Sequence, residues 1–258
     1  VGSEMCIRDS FGVGHIFLAG EAPGLFYGYV TQGIVQKEDI TENGIKYIKQ
    51  DGSVGYYQTV NKTTPVAGDV KYVDRNGDGV VDDNDRDIIG NPNPDFTYGF
   101  QTKVSWKSLS LSASFNGVQG RDILNVGNRY NNTPGTKSNN VTRKAFQNMW
   151  TDENPSNLYP KSTFVVQNMV MDRYVEDGSY LRCSDITLSY VLPAKWTNKI
   201  GIKNTSVYAS VKNAFVITDY SGYDPEVNSF AFDGLRPGVD MNSYPTPRSF
   251  VFGLNLTF

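Results

Sequence analysis

The sequence is poor in the residues that build most reactive centres. Its single histidine, His15, cannot supply a histidine-rich metal site or, without a paired nucleophile, a catalytic triad. Its two cysteines, Cys6 and Cys183, lie far apart without a CxxC pair, which argues against a zinc site and a disulfide framework. We interpret His15 as a loop residue and Cys183 as a small apolar strand residue.

Long apolar runs and a strong charge are also absent. No stretch approaches the roughly 20 apolar residues of a transmembrane helix, although barrel strands are only half apolar and would not be detected by that criterion. A net charge of -3 with mixed signs offers no basic surface, so nucleic-acid binding is not expected. Residues 1–10 lack an apolar leader core and resemble translated adapter sequence, so we predict that they are not native and that the chain is a C-terminal fragment.

Aromatic residues and glycine are plentiful instead. Aromatics make up 13% of the chain, with 16 Tyr and 14 Phe beside 25 Gly, a balance that favours strands and turns over helices. The last eleven residues alternate, with apolar side chains on one side of a strand: Phe250, Phe252, Leu254, Leu256 and Phe258. The same alternation predicts a hairpin from Phe96 to Asn116 turning at Lys107-Ser108, and further strands near 180–192 and 207–212.

The connections between these five predicted strands alternate in length. The Lys107-Ser108 turn and the 193–204 segment are short, whereas 117–179 and 216–247 are long and rich in Asn, Gly, Pro and Asp. Transmembrane barrels join strands by short periplasmic turns and long extracellular loops, so we predict an all-β chain forming strands of a transmembrane antiparallel barrel. Trp106, Tyr190 and Trp196 are then expected at the periplasmic interface. A soluble sandwich would explain the strands but not the ordered loop lengths.

An acidic loop over 74–85 has the spacing of a calcium-binding loop. Gly79 occupies the sixth position, where a sharp turn is needed, and the carbonyl of Val80 would be a ligand. An Asp in place of Glu at the twelfth position predicts weak affinity. The alternative is a metal-free turn cluster of Asp, Asn and Gly. The predicted calcium ligands are Asp74, Asn76, Asp78, Val80, Asp82 and Asp85.

Several segments in order resemble the C-terminal part of the SusC/RagA family of TonB-dependent outer-membrane transporters. They cover nearly everything after about residue 11. The segments are Gly24–Tyr29 with Gly33-Ile34, Gly68–Tyr72, Asp74–Asp85, Gly90–Gly99, Asp177–Arg182 leading to Ile186–Tyr190, Tyr220–Glu226, and Tyr244–Arg248 with the Phe-ending strand.

The resemblance implies a 22-stranded barrel in the outer membrane of a Gram-negative, Bacteroidetes-like cell. It implies a plug that contacts the TonB complex and an extracellular SusD-like lipoprotein that helps to capture glycans or peptides. On this basis we expect residues 11–95 to be an extracellular loop region and residues 96–258 to contain the last five barrel strands. Outer-membrane lipid is an expected partner, and Phe258 is expected to be an assembly signal for the barrel assembly machinery.

Four residues are candidate contacts for substrate or the lipoprotein lid: Tyr223, Asp224, Glu226 and Tyr244. They equally suit a role in bracing the loop. Two other classes of function stay open, a secreted calcium-dependent β-rich binding module and a glycoside hydrolase using Asp224 and Glu226. Two acids that lie two positions apart on one loop cannot be shown to flank a glycosidic bond, and no second convergent acid is identifiable in the sequence. Enzyme activity is therefore not expected.

Overall fold

The computed structural model describes residues 8–10, 13–133, 140–162, 169–197 and 204–257. Strands dominate, and no helix among these residues is long and apolar enough to cross a membrane. The predicted Phe258 assembly signal lies outside the described residues.

Nineteen strands and three short α-helices are present in the described residues, with three turns of 3-10 helix between them. The strands are β1 (Arg8–Ser10), β2 (Val13–Ile16), β3 (Leu25–Tyr29), β4 (Thr31–Ile34), β5 (Ile40–Thr41), β6 (Gly44–Ile48), β7 (Val54–Tyr57), β8 (Thr59–Val60), β9 (Val70–Tyr72), β10 (Val80–Val81), β11 (Arg86–Gly90), β12 (Phe96–Trp106), β13 (Leu109–Gln119), β14 (Asp122–Asn125), β15 (Val175–Asp177), β16 (Tyr180–Val191), β17 (Asn204–Thr218), β18 (Val239–Asp240) and β19 (Ser249–Thr257). The helices are α1 (Val126–Asn132), α2 (Arg143–Asn148) and α3 (Ala194–Thr197).

Two compact units divide the chain, and each is built from separated segments. The first comprises 1–93, 122–176 and 227–243, and the second comprises 94–121, 177–226 and 244–258. The sequence-based division placed its boundary at residue 95 and treated the later long connections as loops of the second part. In the structure, most of those connections belong to the first unit, because their apolar side chains join its core.

The first unit has a buried core rich in tyrosine. Small sheets surround it, of which the largest has the strand order β1-β2-β3-β11. His15 lies in β2 and is fully buried, so its interpretation as a loop residue was wrong. Its Nε2 lies 3.1 Å from the carbonyl oxygen of Pro237. Core side chains come from both the early segment and the later connections: Phe26, Tyr29, Tyr47, Tyr57, Tyr72, Leu124, Trp150, Met171, Tyr174 and Phe230.

The second unit is one antiparallel sheet of five long strands in the order β12-β13-β16-β17-β19. All five predicted strands are present, and β12 and β13 meet at the predicted turn of Lys107 and Ser108. The structure extends β13 to Gln119 and β17 to Thr218, beyond the predicted ends. Cys183 is a buried residue of β16, which confirms its interpretation as a strand residue.

The pairing register sorts side chains by polarity between the two faces of this sheet. One apolar row across the strands consists of Trp106, Leu109, Tyr190, Val207 and Leu254, and the next consists of Val104, Leu111, Leu188, Ala209 and Phe252. A row on the opposite face consists of Gln101, Ser114, Asp185, Lys212 and Ser249. The sheet therefore has an apolar face and a polar face, as the alternation predicted.

Candidate functional site: the acidic loop and the Tyr220–Glu226 segment

The acidic loop 74–85 connects β9 to β11 in the first unit. Its glycines take the left-handed backbone that the turn needs, with φ 75° at Gly77 and 86° at Gly79. Asp74 is 2% exposed, and its two carboxylate oxygens accept the amide hydrogens of Gly77 at 2.6 Å and Gly79 at 2.8 Å. The carboxylate thus closes the turn from inside.

Asp85 closes the other end of the loop and is fully buried. Its Oδ1 accepts the amide hydrogens of Arg75 at 2.7 Å and Asn76 at 3.2 Å, and its Oδ2 accepts that of Asp82 at 2.8 Å. Asp82 in turn accepts the amide of Asn84, so the two aspartates form a reciprocal cap on the short 3-10 turn.

Burial disfavours the ionised form of Asp74 in the acidic loop. Burial raises the pKa of Asp74, amide hydrogen bonds from Gly79 and Gly77 lower it, and the neighbouring charges of Asp85 and Asp78 raise it again. Tyr47 ties the loop to β6, because its hydroxyl donates to the backbone carbonyl of Asp74 at 2.6 Å. The acidic loop is therefore an internally hydrogen-bonded turn with several neighbouring negative charges.

The side chains of several predicted calcium ligands are hydrogen-bonded within the loop. Within the described part of the chain, no three His, Cys, Asp or Glu side chains are grouped so that they could hold a metal ion. At the exposed tip, Asn76 Nδ2 donates to Asp78 Oδ2 at 2.9 Å, and Asp78 Oδ1 accepts from the amide of Val80 at 2.9 Å. The carboxylates accept hydrogen bonds from backbone amides, and calcium binding stays a prediction.

Asp224 is the central residue of the Tyr220–Glu226 segment in the second unit. It is 4% exposed, and its Oδ1 accepts from Arg182 Nη2 at 2.5 Å and from the amide of Glu226 at 3.0 Å. Its Oδ2 accepts the amide hydrogen of Thr246 at 3.0 Å. One carboxylate thus joins β16, its own segment and the chain that leads into β19.

Glu226 makes a second set of internal contacts. Its Oε1 accepts from the hydroxyl of Tyr180 at 2.6 Å and from Asn116 Nδ2 at 3.1 Å, while its Oε2 lies 3.0 Å from Arg182 Nε. Arg121 Nη2 donates to the carbonyl oxygen of Pro225 at 2.5 Å. Both acids of the segment therefore brace it against β13 and β16.

The environment of Asp224 keeps it ionised. Burial by itself opposes the charge, but the amide hydrogen bonds from Glu226 and Thr246 and the positive charge of Arg182 together lower the pKa of Asp224. Because both acids share Arg182, the arrangement suits a fixed ion-pair network.

The four predicted contact residues fall into two groups. Asp224 and Glu226 are braces, whereas Tyr223 is 73% exposed and Tyr244 is 89% exposed. Sequence reasoning missed the residues that hold the braces, namely Arg121, Arg182, Tyr180 and Asn116. Arg182 carried a usable signal, because it is a charged residue in an otherwise nearly uncharged strand and must have a partner when buried.

Comparison with known proteins gives the family. The chain is 33% identical over 248 residues to TonB-dependent receptor P3 of Formosa agariphila, covering 94% of this chain and 23% of that receptor. It is 35% identical over 201 residues to receptor P26 of the same organism, covering 75% and 20% respectively. TonB-dependent receptor SusC of Bacteroides thetaiotaomicron is 34% identical over 194 residues, covering 72% and 17%. No family model matches.

Solved structures give the same result. The RagAB peptide importer in its open-open state matches all of this chain and 24% of that chain, with a TM-score of 0.68 and 25% identity. The fold is thus that of the TonB-dependent barrel transporters, and the five long strands form a barrel-type sheet that does not close among the described residues. The chain belongs to the SusC/RagA-like TonB-dependent receptors. It spans only 17% to 23% of the three curated relatives described above.

Proposed function

We propose that this chain is part of an outer-membrane TonB-dependent transporter that imports oligosaccharides or peptides. The observation that carries the proposal is the register of the five-stranded sheet, which gathers apolar side chains of all five strands on one face. That face is exposed in this chain, with Phe252 79% and Trp106 69% accessible. A soluble protein would cover such a face, whereas a barrel strand turns it to lipid.

Strand length supports the same proposal. β12 has 11 residues and spans roughly 34 Å at about 3.4 Å per residue. Tilted by about 40°, it would cover roughly 26 Å of membrane thickness, close to the apolar band of about 25 Å found on transmembrane barrels. The polar face, with Asp185 and Lys212 paired at 2.8 Å, would then line the lumen.

The partners follow from the relatives rather than from contacts within this chain. Curated relatives are named TonB-dependent receptors, and a structural neighbour is the RagAB peptide importer. We propose energy supply through the TonB complex and substrate capture with a SusD-like lipoprotein. Tyr223 and Tyr244 are the proposed contacts for the substrate or the lipoprotein, since both rings are exposed next to the Asp224 network.

A secreted calcium-dependent module remains the second candidate function, and the acidic loop is the feature that favours it.

A pair of adjacent substitutions in the full-length transporter tests the membrane location. Phe252→Arg puts a charge on the apolar face, and Val251→Arg puts the same charge on the polar face of β19. We expect Phe252→Arg to cost about 2 to 4 kcal/mol in the stability of the inserted barrel and to lower TonB-dependent uptake, while Val251→Arg stays within about 1 kcal/mol of the parent. Equal effects, or uptake that is independent of TonB, would contradict the proposal.

We also propose that the acidic loop binds calcium in a structural role. The ligand spacing of 74–85, the left-handed Gly79 and the raised pKa of buried Asp74 support this, because a bound cation would offset the repulsion among the carboxylates. Asp74, Asn76, Asp78, Asp82 and Asp85 would provide side-chain oxygens, and Val80 a carbonyl. Binding requires the exposed Asn76 and Asp78 side chains to turn from each other toward the ion.

A further inference from the structure

Lys107 occupies a backbone conformation that does not suit lysine. It is the first residue of the two-residue turn between β12 and β13, and its φ is 54°. The left-handed region is unfavourable for a residue with a Cβ, and Asn, Asp or Gly is usually found in such turns. Lysine at this position makes the turn less stable than Asn or Gly would. We therefore expect a role of the lysine side chain that offsets this loss.

The Lys107 side chain lies against the tryptophan at the edge of the apolar face. Its Nζ is 4.9 Å from the centroid of the Trp106 ring, and that ring is 69% exposed. Trp106 belongs to the apolar row nearest the turn, together with Leu109 and Tyr190. An ammonium group therefore stands at the border of the apolar face beside an amphipathic ring.

A second lysine and tryptophan lie at the same end of the sheet. Lys195 and Trp196 are exposed in α3, which follows β16, and Trp196 is 66% accessible. The two turns are adjacent, because the amide of Val191 donates to the carbonyl oxygen of Ser108 at 2.8 Å. We call this end of the sheet, with Trp106, Lys107, Lys195 and Trp196, the turn end.

The described residues around the turn end include no acidic side chain on the apolar face. In the described residues of the five long strands, the Lys107-Ser108 turn and α3, the only acidic residue is Asp185. Asp185 lies on the polar face and pairs with Lys212 at 2.8 Å. Among the described residues, the lysines of the turn end thus present positive charge without an acidic side chain beside them. Together with the exposed indole rings, this charge complements a negatively charged layer at the boundary of an apolar phase.

We propose that the turn end binds the phosphate groups of anionic phospholipids, with Lys107 and Lys195 supplying the charge and Trp106 and Trp196 lying at the level of the headgroups. The inference rests on the membrane location given under Proposed function. Each lysine near a charged membrane surface contributes a modest attraction, so anionic lipid should be enriched at this end rather than held permanently.

The test uses the full-length transporter in vesicles of phosphatidylcholine with one quarter phosphatidylglycerol. After gentle detergent extraction, mass spectrometry gives the ratio of the two lipids retained by the protein. We expect Lys107→Asn to lower the retained phosphatidylglycerol ratio about fivefold. Its unfolding midpoint in pure phosphatidylcholine should stay equal to the parent or rise, because Asn suits the left-handed turn.

Lys103→Asn is the matched control, since Lys103 is an exposed lysine on the polar face of β12, the strand that leads into the turn. It should leave the ratio unchanged. The inference is overturned if both variants lower the ratio equally, if neither does, or if millimolar inorganic phosphate abolishes the preference. Insertion into both vesicle types without lipid preference overturns this inference alone, whereas failure to insert into either type overturns the membrane location as well.

Discussion

At the scale of single residues, Asp224 shows how burial assigns a role that composition cannot. The sequence made it a candidate ligand contact beside Tyr223, yet it accepts hydrogen bonds from three separate parts of the second unit. A buried carboxylate in an ion pair with Arg182 is costly to expose and costly to leave unpaired. Its neighbour Tyr223 has the exposure that a contact residue needs.

Asp224→Asn should destabilise the full-length protein by about 2 kcal/mol, because buried Arg182 would lose one of its two charged partners and keep only Glu226. Thermal or urea unfolding in detergent micelles measures the change. Asp219→Asn, at an exposed position in the preceding residues, should change stability by less than about 0.5 kcal/mol. A similar loss in both variants would contradict the bracing role.

The ionisation of Asp224 also makes the free energy of unfolding depend on pH. The folded state lowers the pKa of Asp224, so its ionised form contributes stability above the unfolded pKa of about 3.9. That contribution to stability is lost as the pH falls from the unfolded pKa through the lower pKa of the folded state. We expect the difference in unfolding free energy between the parent and Asp224→Asn to shrink on acidification below about pH 4. A difference that stays constant down to pH 2 would contradict the assignment.

At the scale of elements, the acidic loop shows that residue spacing and three-dimensional geometry give different information about a site. The spacing of oxygen-bearing residues is that of a calcium loop, and Gly79 has the left-handed backbone that the pattern anticipates. The flanks are the strands β9 and β11, so the loop has no helices to move and cannot act as a helix-loop-helix sensor. Calcium here would stabilise the loop rather than signal.

Calcium should raise the stability of the chelator-treated full-length transporter by about 2.7 kcal/mol at a concentration one hundred times the dissociation constant. Asp78→Asn should weaken binding measured by calorimetry without unfolding the loop, since Asp78 is at the exposed tip. Asp51→Asn, an exposed carboxylate of the β6–β7 turn, is the control and should bind calcium like the parent. Absence of binding heat in the parent would contradict the calcium proposal.

At the scale of the whole molecule, the two units need different surroundings. The first unit buries its own tyrosine-rich core, whereas the second exposes one apolar face. The sheet order also leaves β12 and β19 as outer strands with no further pairing among the described residues. Unpaired edges and an uncovered apolar face promote association.

We expect the isolated 258-residue chain to aggregate in detergent-free buffer, as sedimentation or size-exclusion chromatography would show. Detergent micelles should reduce the aggregation by covering the apolar face of the second unit. A monomeric, cooperatively folded chain in buffer without detergent would contradict this expectation and would favour the secreted-module alternative.

Much of the second unit was predictable because strand alternation is a local signal. Phe96–Trp106 was predicted at its observed bounds, and the two-residue turn at Lys107 fixed the register of the first hairpin. His15 was not predictable, since a lone buried histidine in a short strand depends on what packs over it. The same holds for Arg182, whose partners lie more than 40 residues away in the chain.

Local sequence patterns were enough to predict the long strands, the apolar side of each strand and the loop with calcium-type spacing. These properties depend on periods of two residues and on the turn chemistry of neighbouring residues. Three features became visible only in the folded chain. Asp224 and Glu226 brace their segment, the carboxylates of the acidic loop accept hydrogen bonds from backbone amides, and the long connections contribute to the core of the first unit. Those outcomes depend on contacts between distant segments, and such contacts exist only after the chain has folded.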